Sequence, residues 1–227
     1  MEVPRTLFAS ANKFAGADFK DTRFASFAAF GAAQASGELG SENMNRVPLL
    51  KHRGVTIGQG GAIQRYVAGQ FGFLGNNELE AAQIDTLCEC ISEVSTAFGK
   101  VMPYGNSFTA DEKEVILKAW LEGTVAEGNS ERSKRALKWH LHHIEKLVGA
   151  DGFSFGGKTT LADAKIYNTL GDVCELFENG PAQPFGADVE RTDAVLVGYP
   201  KIKKIVETFK GSDGMTKYLA QRGPQGF

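Results

Sequence analysis

The apolar positions of this chain change period part-way along it. From residue 78 onward they recur every three or four residues, which is the spacing of one helix face. Leu79, Ala82, Ile84, Leu87, Ile91, Val94, Ala97 and Phe98 predict one long helix. Segments 111–127 and 133–148 keep the pattern and predict helices packed antiparallel to it. Thr160-Leu161-Ala162-Asp163 opens another, with a hydroxyl and a carboxylate at capping-box spacing. Its apolar face runs through Ala164, Tyr167, Leu170, Val173 and Leu176. Segment 179–198 carries glycines and prolines and predicts a long surface loop. Two short helices, 200–209 and 214–219, close the chain.

Before residue 78 the pattern is mixed. Pro4 suits the first turn of a helix, and Val3, Leu7, Phe8, Ala11 and Phe14 follow at helical spacing up to about Gly16. Residues 19–24 alternate weakly, as a strand does, and 25–35 predict a short helix. A polar loop covers 36–45. Residues 47–50 and 55–57 predict two strands joined by a turn at Arg53-Gly54. Residues 62–71 predict a helix with Ile63, Tyr66, Val67 and Phe71 on one side, and 72–77 a linker. The expected class is α/β plus all-α, in two domains, 1–74 and 78–227.

Composition narrows the function. The formal net charge is −2 and 42% of residues are hydrophobic, so nothing draws the chain to nucleic acid or to an anionic membrane surface. No apolar run has membrane-spanning length, and the first residues do not read as a signal peptide. The three cysteines, Cys88, Cys90 and Cys174, argue against a disulfide framework and for a reducing, cytoplasmic setting. No metal is expected. Cys88 and Cys90 point to different sides of a helix, and His140, His142 and His143 lack a carboxylate at zinc-motif spacing. That histidine cluster reads as a solvated helix face, and Asp163 as a structural cap.

The chemistry is concentrated around Val47-Pro48 and Gln59-Gly60-Gly61. A turn at Pro48 exposes the backbone of Val47 to an extended peptide. The glycine-rich helix start offers free N–H groups and the positive end of a dipole to a carboxylate.

Val47-Pro48, the 59–66 stretch Gln-Gly-Gly-Ala-Ile-Gln-Arg-Tyr, the 80–85 stretch, the Thr160–Asp163 cap and Tyr199-Pro200 together resemble the cytosolic glutathione S-transferase family, nearest its sigma-like class. The resemblance spans about 2–219. It implies a thioredoxin-like N-terminal domain followed by an all-helical domain, and a homodimer that conjugates glutathione to hydrophobic electrophiles in detoxification. It implies a cis Pro48, with Val47 and Pro48 on the cysteinyl backbone. The γ-glutamyl carboxylate would lie on Gln59 and Gly60, and Asp85 would reach the γ-glutamyl amine of a neighbouring subunit. Arg46 and Lys51 would meet the glycyl carboxylate, and Met102 and Tyr104 would line the co-substrate pocket.

Two departures stand out. The family usually has serine or threonine where this chain has Gly60. Glu2-Val3-Pro4-Arg5-Thr6-Leu7 already matches the family's first helix, and no tyrosine precedes Tyr66. The first strand and the loop with the thiol-activating hydroxyl are therefore expected to be missing, and the catalytic residue is unknown. The alternative is a non-catalytic module of the same family, used for binding or as a scaffold. A helical bundle unrelated to peptide binding is a third reading.

Overall fold

The computed structural model describes residues 22, 24–103, 106–171 and 189–221. The expected first helix, most of the 19–24 strand, Tyr104, Cys174, and the helix positions Val173 and Leu176 lie outside those residues. So does the question of a missing first strand.

Helix α1 (Phe27–Ser36) is capped by the Ser26 hydroxyl, which accepts from the Ala29 N–H at 3.1 Å. It ends at Gly37, whose φ of 74° stops the helix in the left-handed region. Strands β1 (Leu49–His52) and β2 (Val55–Gly58) form an antiparallel hairpin in which Leu49 faces Gly58 and His52 faces Val55. Its two-residue turn has positive φ at Arg53 (50°) and Gly54 (79°), the handedness that matches strand twist. Helix α2 (Gly60–Gln70) packs on the hairpin: Ile63 and Val67 are buried against Leu50, Ile57 and Tyr66. The Tyr66 hydroxyl and His52 Nδ1 share a hydrogen bond of 2.6 Å.

The remaining helices bury a second, larger core. They are α3 (Glu78–Val101), α4 (Ala110–Glu122), α5 (Val125–Ser130), α6 (Leu137–Leu147), α7 (Leu161–Leu170), α8 (Val189–Leu196), α9 (Pro200–Lys210) and α10 (Asp213–Gln221). Ile84, Leu87, Ile91, Val94 and Phe98 of α3 meet Leu137, Leu141 and Ile144 of α6 and Ile166, Tyr167 and Leu170 of α7 in one apolar cluster.

The long helix was expected to bury Leu79, but that side chain is 72% exposed in the first turn of α3. The single helix expected over 111–127 breaks at Gly123, where a Cβ would lie 2.6 Å from that of Ala136. Thr124 then starts α5 with its own capping box to Glu127. The expected 179–198 loop contains α8. Its weak start signal and the charged Glu190, Arg191 and Asp193 hid the helix, although Leu196 is buried.

The 140–143 cluster is not a solvated face. His140 is 6% exposed and its ring meets those of Trp120 and Trp139, with centroids 6.1 and 5.0 Å away. Burial holds its imidazole below the ordinary value. The Asp163 expectation agrees with the fold. Its buried carboxylate accepts from the Thr160 N–H and hydroxyl and from the Ser154 N–H and hydroxyl.

Candidate glutathione site

The hairpin register decides what meets what. Because Leu49 pairs with Gly58, the Val47-Pro48 turn and the Gln59-Gly60 helix start lie side by side at one end of the hairpin. The Val47–Pro48 peptide bond is cis. Among the described residues neither the N–H nor the C=O of Val47 has a hydrogen-bond partner. That leaves a short backbone edge of the kind an extended peptide pairs with.

Gln59 carries the strain of the site. Its φ is 65°, a region that glycine enters freely and glutamine does not. This turn brings the chain from β2 directly into α2. The Gln59 carbonyl accepts the Ile63 N–H at 3.0 Å, while its side chain is exposed and makes no capping bond. Among the described residues no side chain caps α2, so its first N–H groups are donors of the kind an anion takes up. Gly60 is buried at that start.

The loop before Val47 is tied down at several points. The Asn45 amide donates to the Gln34 carbonyl at 2.6 Å, and the Gln34 amide donates to the Asn45 carbonyl at 3.1 Å. The Asn43 amide donates to the Pro48 carbonyl at 3.1 Å. Arg46 leans on this loop, with Nε 3.5 Å from the Asn43 carbonyl oxygen. Lys51 is exposed on β1.

Asp85 is not free. Its carboxylate accepts from Arg65 Nε of the same chain at 2.7 Å, and Glu89 takes the other side of that guanidinium. Arg65 thus ties α2 to α3, and its Nη1 would lie 3.2 Å from a Cβ on Gly61. Arg65 lies in the 59–66 stretch, where the sequence pattern gave it no role of its own. The signal was the i,i+4 step from Asp85 to Glu89, which places two carboxylates on one helix face. Met102 packs at the edge of the helical core, at the end of α3.

The surroundings of both described thiols disfavour the thiolate. Burial pushes Cys88 up to about 12, and Cys90 is raised by the same cause. Among the described residues, no group of three or more His, Cys, Asp or Glu side chains is placed to hold a metal. No helix among them is long and apolar enough to cross a membrane.

A hairpin entered through a cis-proline, a helix rising from it and an all-helical bundle together make the glutathione S-transferase fold, a thioredoxin-like domain followed by a helical one. The solved structure of prostaglandin synthase D of Nilaparvata lugens shares it, with a TM-score of 0.70 over 99% of this chain and 96% of that one at 17% identity. Residues 114–222 match the family model of the glutathione S-transferase C-terminal domain. S-crystallin 3 of Enteroctopus dofleini is 24% identical over 97% of this chain and 91% of its own length. Probable glutathione S-transferase 6 of Caenorhabditis elegans is 25% identical over 97% and 90%. Over residues 114–222 the chain is similar to the glutathione S-transferase C-terminal domain, and over nearly its whole length to proteins named glutathione S-transferase and S-crystallin.

Proposed function

We propose that this chain binds glutathione at the Val47-Pro48 and Gln59-Gly60 edge and conjugates it to a hydrophobic electrophile. The observation that carries the reading is the side-by-side placement of an unpaired Val47 backbone and the uncapped start of α2. The first can pair with the cysteinyl backbone of the peptide. The second can take its γ-glutamyl carboxylate, with the Gln59 side chain as a further contact. Arg46 and Lys51 stand on the side where the glycyl carboxylate would extend, and Met102 is offered to the apolar co-substrate. No metal enters the reaction. The residue that would polarise the thiol is not among these groups.

The same reading places the peptide unit in residues 1–74 and the helical unit in 78–227. It makes the protein a cytoplasmic homodimer in which Asp85, held by Arg65 of its own chain, would reach the γ-glutamyl amine of a tripeptide bound to the neighbouring subunit. The test is calorimetric titration with glutathione. Saturable binding is expected, weakened at least tenfold by Gln59→Ala. Absence of binding at millimolar glutathione would sink the proposal.

Gly60 favours a second reading. A family member that lacks a hydroxyl at the carboxylate site loses one charge-assisted contact, which is worth about 1.5–3 kcal/mol. A binding or scaffold module tolerates that loss more readily than a catalyst. Relatives are named both glutathione S-transferase and S-crystallin. Glutathione binding without turnover of an aryl halide would select the module; turnover would select the enzyme.

A further inference from the structure

We propose that Asn43 is a positioning residue that holds the Val47 edge and Arg46 in their ligand-ready arrangement; this rests on the glutathione-binding reading above. Three observations converge on it. Met44 and Asn45, directly after Asn43, both have left-handed backbones, with φ of 52° and 55°. Neither is glycine, so the segment persists only if its surroundings over-determine it. The Asn43 amide spans that segment. Its Nδ2 donates to the Pro48 carbonyl at 3.1 Å, closing a ring around Met44, Asn45, Arg46 and Val47. Its own backbone carbonyl lies 3.5 Å from Arg46 Nε. One residue thereby touches both the turn that would bind the cysteinyl backbone and the cation that would meet the glycyl carboxylate.

The second observation is burial with incomplete satisfaction. Asn43 is 3% exposed, and among the described residues its Oδ1 has no hydrogen-bond partner. A flipped amide would set oxygen against the Pro48 carbonyl oxygen, so the orientation is fixed by chemistry. A leucine has the same branching, is somewhat larger, and would orphan no oxygen of its own. What leucine cannot do is donate to Pro48.

The third observation is the space reserved for it. A Cβ on Gly58 would lie 2.2 Å from the Glu42 carbonyl oxygen and 2.7 Å from the Asn43 Cβ. Gly58 ends β2, one residue before Gln59, so the loop is pressed against the hairpin where the two halves of the site meet. The absent side chain at Gly58 is what permits that approach.

The experiment compares wild type, Asn43→Leu and Asn43→Asp by thermal unfolding, glutathione titration and amide hydrogen exchange over residues 44–50. Asn43→Leu removes the orphaned Oδ1 but strands the Pro48 carbonyl, so it is expected to melt only modestly below the wild-type temperature, yet to bind glutathione at least tenfold more weakly. Asn43→Asp, which sets an acceptor against the Pro48 carbonyl, is expected to bind at least as weakly. Both should exchange faster at Met44 and Asn45, whose N–H groups donate to the Ser41 and Gly40 carbonyls at 3.0 and 3.1 Å. Gly58→Ala, which displaces Glu42 and Asn43 from outside, should give the same loss, and it carries the test if an Asn43 variant does not fold. The proposal is overturned if the folded variants bind within twofold of wild type, or if affinity falls only in step with stability. If wild type itself does not bind glutathione, the functional reading fails; unchanged exchange at 44–50 would then show separately that Asn43 does not hold the loop.

Discussion

Replacing Asp163 by alanine should be among the most damaging changes in the helical half. The carboxylate is 1% exposed at the first turn of α7. It accepts the Ser154 N–H at 2.7 Å and hydroxyl at 2.8 Å, and the Thr160 N–H at 2.8 Å and hydroxyl at 2.6 Å. The two hydroxyls are 3.0 Å apart and can satisfy each other when the carboxylate is gone. The two backbone N–H groups cannot. Each stranded buried donor costs about 1–3 kcal/mol, and loss of a cap about 1 kcal/mol. Because these effects overlap, about 3–5 kcal/mol is expected for Asp163→Ala. Asp163→Asn keeps the volume and one acceptor oxygen and should lose about 1–2 kcal/mol. Urea unfolding at neutral pH measures both. A loss under 0.5 kcal/mol for the alanine variant would refute the capping account. Full stability with abolished turnover would instead make Asp163 an acid or base. The pH dependence gives a further check. Burial raises this carboxyl above the ordinary aspartate value of 3.8, against the pull of its four donors. The folded state then binds the proton more tightly than the unfolded state. The group's contribution is therefore greatest below 3.8 and declines as pH rises through the folded value. Asp163→Asn should remove that slope.

Three more outcomes follow from the structure. Burial lowers the His140 imidazole, with Glu93 on α3 pulling it up and Arg135 and His143 pushing it further down. The unfolded state binds that proton better, so stability is full above 6.5 and is lost as pH falls, by up to ~1.4 kcal/mol per pH unit. Urea midpoints read through Trp120 and Trp139, whose rings meet it, should show this slope flattened in His140→Phe; parallel profiles would refute it. Arg65→Ala breaks a partly exposed pair with Asp85 and should reduce stability by only about 0.5–1 kcal/mol; a loss above 2 kcal/mol in thermal unfolding would mean the tie between α2 and α3 matters more than its exposure allows. Gly60→Ser restores a hydroxyl at a position whose φ is not in the left-handed region, and should tighten glutathione binding roughly 10- to 100-fold by calorimetry; an unchanged constant would place the carboxylate elsewhere.

The helical half was legible because its signals are local. Periodicity located α3 and α6, the Thr160 and Asp163 pair marked the start of α7, and Pro200 marked that of α9. The failures were tertiary. Nothing in the spacing of His140 says that two tryptophans meet it, because Trp120 comes from a different helix. Leu79 is apolar but precedes Ile84 by five residues, about 140° round the helix, and so points away from the buried stripe of α3. Helix α8 lacked periodic strength, and packing on α9 and α4 rather than propensity sustains it. The hairpin was legible from its turn, and with it the register that brings Val47 beside Gln59. Asn43 was not, because a polar residue in a polar loop carries no sequence signal of burial.

The chain divides its site into a part made of backbone and a part made of side chains, and the two differ in how they tolerate change. The Val47 edge and the first N–H groups of α2 are main-chain groups, so no substitution other than proline removes them directly. Their positions depend instead on residues one step away: the strained Gln59, the clamp at Asn43 and the clearance at Gly58. A missing hydroxyl at Gly60 weakens such a site without dismantling it. Loss of the clamp would move every backbone contact at once. Affinity for the peptide should therefore be more sensitive to the buried loop behind the site than to the exposed Lys51 or the half-exposed Arg46 that face the ligand.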